Sequence, residues 1–129
     1  MKRYNPLKAP TSEEWLTMDE PERLCLVENY HRHVRAQLPN LTAHAIFHVI
    51  VENQAALGDE MPVRRTIDRL MEEGIDRHEA IHAVGSVMSE HMWKLSRSIP
   101  ADPLHAQPNA SYYAALEKLT VESWRQAYE

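Results

Sequence analysis

Eight histidines stand in this chain of 129 residues, and two pairs of them are spaced by one helical turn: His44 with His48, and His78 with His82. Side chains four apart on a helix lie on the same face, and imidazole suits zinc, iron and manganese alike. The first pair runs on to Glu52 one turn later, so His44, His48 and Glu52 share one line. The second pair is contained in His78-Glu79-Ala80-Ile81-His82, a His-Glu-x-x-His string. In such a string two histidines hold zinc and the glutamate activates a water. Facing helices of a bundle can bring such residues together. The expected site is therefore a divalent transition-metal centre built from His44, His48, Glu52, His78 and His82, with zinc, iron or manganese as the ion. His31, central in an earlier apolar stripe, can add a further ligand.

Plainer roles compete for each of these residues. A histidine on an apolar face is commonly held by a hydrogen bond to an acid or a carbonyl, and Glu52 can pair with His48 or His78. Glu79 follows Asp76 at capping-box spacing. No third-ligand pattern of the zinc proteases follows His82. The alternative to a metal site is thus a metal-free interaction module or homodimer with a buried His/Glu network. A third reading is a zinc hydrolase whose Glu79 faces a cleft. His33, His91 and His105 read as solvated, and Cys25 as a small buried thiol with nothing beside it to lower its pKa.

Positioning these side chains falls to helices. Residues 1–10 carry two prolines and little periodicity, and read as an extended arm. Thr11 and Glu14 have capping-box spacing for a short helix, and Asp19 with Pro21 starts another. From Glu20 to Gln37 the stripe Leu24, Val27, His31, Val34, Leu38 recurs at helical spacing, until Pro39 ends it. Leu41 to Leu57 is apolar around nearly its whole circumference, which predicts a central, buried helix. Gly58-Asp59 breaks it, and Pro62 suits the first turn of a helix with Val63, Ile67, Leu70 and Met71 on one face. Gly74 stops that helix. Asp76 opens a long one from Arg77 to Arg97, with Ile81, Val84, Met88, Met92 and Leu95 inward. A proline-rich loop spans 98–108. A last helix, capped by Asn109 or Ser111, docks through Tyr112, Leu116, Leu119 and Trp124. Trp15, Trp93 and Trp124 suit core and boundary packing or an association surface. No segment alternates as a strand would. The expected class is all-α, an irregular bundle of about five helices in one domain, 1–129.

The stretch from His48 to the carboxyl terminus also carries a set of motifs in fixed order: His48-x-x-x-Glu52-x-Gln54, then Pro62, then Asp76-x-His78-Glu79-Ala80-x-His82, then Glu90-x-x-Trp93 and Arg97. In these it resembles the bacterial family called domain of unknown function 1841. That resemblance implies a small helical bacterial protein in which His48, Glu52, His78 and His82 belong together. It implies no particular reaction. His31 and His44 lie outside the resembling segment.

Composition narrows the partners. Fourteen Lys and Arg stand against nineteen Asp and Glu, a formal net charge of −5. The cations are scattered among acids, where a nucleic-acid binder shows a basic excess or stripe. No nucleic-acid partner is expected, and a homodimer or another protein remains as partner. The single cysteine excludes an internal disulfide, and no apolar run approaches the roughly 18 residues of a membrane span. With no apolar run behind the charged first residues, the expected location is the cytoplasm.

Overall fold

Side-chain caps set most of the helix starts. Thr11 Oγ1 accepts from the Glu14 amide at 3.2 Å and opens α1 (Ser12–Thr17). Asp19 Oδ1 accepts from the Glu22 amide at 2.9 Å and opens α2 (Glu20–His33). Asn40 Oδ1 does the same for Ala43 at 3.0 Å at the start of α3 (Leu41–Ala56). A 3₁₀ turn (Gly58–Glu60) leads to α4 (Val63–Glu72), and Asp76 Oδ1, 2.8 Å from the Glu79 amide, opens α5 (Arg77–Arg97). Each such cap satisfies an amide that has no partner within the helix, and typically contributes about 1 kcal/mol. Then follow α6 (Pro103–Ala106), α7 (Pro108–Lys118) and α8 (Val121–Tyr128).

This computed structural model describes residues 1–128. Among them 72% are helical and none forms a strand, so the all-α class agrees with the sequence. No described helix is long and apolar enough to cross a membrane. The eight helices among the described residues exceed the five or so expected, and two of the additions have local causes. Asp102 Oδ1 accepts from the Leu104 amide at 2.9 Å and starts α6 inside the proline-rich loop. Thr120 and Ser123 cap each other reciprocally, each hydroxyl accepting from the other's amide at 3.0 Å, which divides the expected last helix into α7 and α8.

The chain forms two compact units, Met1–Arg64 and Arg65–Glu129. In the first, α3 packs along α1 and α2. Its core joins Tyr4, Trp15, Val27, Ala45 and Val49. Tyr4, only 5% exposed, is the anchor that lays the amino-terminal arm onto the helices. Arg23 binds three elements at once. Its guanidinium donates to the carbonyls of Leu16 and Met18 at the end of α1, to Glu20, and to Asn53 Oδ1 of α3, which also accepts from Trp15 Nε1 at 2.8 Å. A buried cation is tolerable because its donors are used in this way.

Helix α2 stops four residues short of the expected end. Arg35 has φ +55°, the Ala36 amide reaches His31 O at 3.0 Å and the Arg35 amide reaches Arg32 O at 3.1 Å. That is a Schellman termination with arginine in the left-handed position that glycine usually fills. Val34 is therefore exposed, not part of the buried stripe. The expectation that α3 is buried all round is also corrected. Ile46 and Phe47 are 42% and 40% exposed, because only the face toward α1 and α2 is covered within this unit. Cys25, expected to be buried, is exposed.

In the second unit α7 packs on α5 and on α6. Ile67, Leu70, Ile81, Val84, Met88, Tyr112, Leu116 and Leu119 are buried as the stripes predict, but Met71 and Met92 are 39% and 50% exposed. Gly74, at φ +113°, ends α4 as expected. Polar ties fix the ends: Arg69 donates to Leu116 O at 3.0 Å, Glu73 Oε1 accepts from the Val121 amide at 2.9 Å, and Tyr128 donates to Glu90 at 2.8 Å.

Candidate metal centre

The histidine-bearing face of α3 lies against α2 within the first unit. His44 and His48 stand one turn apart, with ring centroids 4.9 Å from each other. His31, in the last turn of α2, sits 4.8 Å from both rings and nearly perpendicular to each, at 79° and 76°. His31 and His48 are buried, 2% and 1% exposed, and His44 is half-buried. The three offer ring nitrogens that lie within 4.8 Å of one another. With metal–nitrogen bonds of about 2.0–2.1 Å and tetrahedral angles, three imidazoles on one ion would have ring centroids about 5 Å apart. The observed triangle is close to that.

Hydrogen bonds fix which nitrogen each buried ring has to offer. His31 Nδ1 lies 2.8 Å from Val27 O, one turn back on its own helix. A carbonyl only accepts, so Nδ1 carries the proton and the neutral ring has its lone pair on Nε2. At His48 the same result comes through Tyr4. The Tyr4 hydroxyl gives its single proton to Glu52 Oε2 at 2.6 Å, and it also lies 3.2 Å from His48 Nδ1. Toward that nitrogen it can only accept, so His48 Nδ1 is the protonated one and Nε2 again keeps the lone pair. A backbone carbonyl, as at His31, or a carboxylate is the outer support usual for metal-ligating histidine, and at His48 the Glu52 carboxylate acts through the Tyr4 phenol.

The expected site residues therefore fall into different roles and places. His44 and His48 come together as the spacing predicts, and His31 joins them. Glu52, 2% exposed, accepts from Tyr4 one turn beyond His48. His78 and His82 belong to the second unit, where they pair on α5 with ring centroids 4.4 Å apart. Glu79, between them, is exposed, and its amide is held by the Asp76 cap. Tyr4 has no counterpart in the sequence expectations. Its only advance signal is that it is the one aromatic residue in the arm.

Other polar pairs have structural explanations. Ser98 Oγ lies 2.7 Å from His105 Nε2 and donates to Leu95 O at 2.8 Å, so the hydroxyl proton serves the end of α5 and is not activated by the ring. His33 and His105 are exposed as expected, whereas His91 is half-buried and stacks on Tyr112 at 5.4 Å. Burial raises the Tyr112 phenol well above its usual pKa, with a smaller contribution from Tyr113. That phenol stays neutral at any ordinary pH.

No protein family, no curated protein and no solved structure matches the chain.

Proposed function

We propose that this protein binds a divalent transition metal through His31, His44 and His48, with Tyr4 and Glu52 holding His48 in its ligating form. The observation that carries this is the triangle of ring centroids at 4.8, 4.8 and 4.9 Å, with the Nδ1 protons of two of the rings turned outward to acceptors. Three imidazoles whose ring nitrogens lie within 4.8 Å of one another suit a cation, and among common ions zinc, iron(II) and manganese(II) accept that donor set. The site's chemistry follows from its ligand count. Three protein ligands leave a position for water, which the ion would acidify, whereas a fourth protein ligand closes the shell and makes the ion a cross-link.

The test is metal binding by the tag-free chain in competition with a chromophoric chelator, repeated for His31→Ala, His44→Ala, His48→Ala, His78→Ala and His82→Ala. Binding near one ion per chain, lost in each of the first three variants, is the expected result. The last two variants test the sequence expectation that α5 shares the site. Loss in His78→Ala indicates a closed four-ligand site, and retention in both an open one. If the wild-type chain binds none of the three ions, the metal reading fails. The Tyr4–Glu52–His48 chain then stands as a hydrogen-bonded core network in an interaction protein, the alternative that those bonds favour.

A further inference from the structure

A second feature of the first unit is a cavity of about 650 Å³ between the amino-terminal arm and α2. Its volume lies within the roughly 300–1,000 Å³ usual for small-molecule sites. Lys2 and Arg3 line it from the arm, and Asn29, Tyr30 and His33 from α2. No carboxylate among the described residues lines it, although the chain as a whole has a formal net charge of −5. The charge in this concavity is thus opposite in sign to the formal net charge of the chain, and a basic concavity of this kind attracts anions. Its aromatic lining is Tyr30, half-buried, backed by the buried Tyr4 at 6.0 Å between ring centroids and inclined at 57°. Tyr4 is held in place behind it by its hydrogen bond to Glu52.

We infer that this cavity binds a small organic anion, a carboxylate or phosphate attached to a flat apolar group. Lys2 and Arg3 meet the charge, the Arg3 fork being suited to two oxygens at once, and the Tyr30 ring receives the apolar part. The Asn29 amide adds a neutral donor. The proposal does not depend on a metal at the histidines.

The test is calorimetric titration of the full, tag-free chain with phenyl phosphate, with inorganic phosphate and benzyl alcohol as the two halves of the ligand. Saturable one-to-one binding is expected with Kd of about 1 mM or tighter. The double substitution Lys2→Gln with Arg3→Gln should weaken it about tenfold or more, and added salt should weaken it too, since both charges are exposed. Those two residues are on the surface, so helical circular dichroism should not change in the variant. Tyr30→Ala should weaken phenyl phosphate but not inorganic phosphate. Absence of saturable binding would overturn the inference. So would equal affinity for benzyl alcohol, or indifference to the double substitution. Binding that disappears when a chelator is added would assign the anion to a metal and would likewise overturn the cavity site, while leaving the histidine centre standing.

Discussion

Tyr4 decides the state of His48, because one phenolic proton cannot serve two acceptors. It goes to Glu52, and the His48 ring must then donate back to the phenol oxygen. Outer supports of this kind commonly change metal affinity by about 10- to 100-fold. Tyr4→Phe keeps the aromatic packing against Trp15 and removes only the hydroxyl. It should weaken metal binding within that range in a chelator competition, and the metal-free chain should also lose some thermal stability because buried Glu52 loses a donor. Equal affinity in Tyr4→Phe and wild type would contradict the orienting role. Acid should release the ion, because imidazole binds metal only when neutral. The line His44, His48, Glu52 was legible from spacing alone, and His31 from its place in an apolar stripe. Glu52's tie to Tyr4 was not legible. Tyr4 meets Glu52 and His48 across separations of 48 and 44 residues, and nothing in the local pattern of an extended arm specifies that contact.

Helix starts were the most legible elements, since a cap is a local event: Thr11, Asp19 and Asp76 act as expected, whereas Asn109 and Ser111 lie inside α7, which starts at Pro108. Helix ends were harder. The stop at Arg35 has no glycine to announce it, and the chain adopts a left-handed residue that ordinarily costs roughly 1–2 kcal/mol. Arg35→Gly should therefore raise unfolding stability by about 1 kcal/mol, read from the urea midpoint at unchanged slope. Destabilisation would show that the arginine side chain contributes more than the strain removes. At the other end of the chain, α8 is tied to α5 through Tyr128 and Glu90. The hydrogen bond from Tyr128, followed by Lys94, holds the Glu90 carboxyl below its usual pKa, and this stability is present above the unfolded carboxyl pKa and lost as pH falls through the lowered one. Burial, with the bond to Glu90, raises the Tyr128 phenol, so its share is present below the unfolded phenol pKa and lost as pH rises through the raised one. The tie should hold through neutral pH and loosen toward acid and strong alkali. Carboxyl NMR titration of Tyr128→Phe should show Glu90 moving up toward its ordinary range, and an unmoved Glu90 would contradict the tie.

For the whole molecule, hydrophobic periodicity without alternation was enough to give an all-α class. It did not give the helix count, because the Thr120–Ser123 exchange and the Asp102 cap each divide a segment that looks continuous or unstructured in pattern. Nor did it give the exposure of Ile46 and Phe47, since an apolar circumference states what a helix can bury and not how many neighbours its unit supplies. The same limit applies to Trp93, which is 60% exposed with the Arg97 guanidinium 5.3 Å from its ring centroid. The central claim is that His31, His44 and His48 form a metal centre, and X-ray absorption at the metal edge tests it most directly. The chain loaded with one equivalent of zinc should show a first shell of nitrogen and oxygen at about 2.0–2.1 Å, with outer-ring scattering from at least three imidazoles, falling by one imidazole or losing the ion in His48→Ala. A shell of water and carboxylate oxygens with no imidazole scattering, or zinc that washes off wild type and variant alike, would contradict the account.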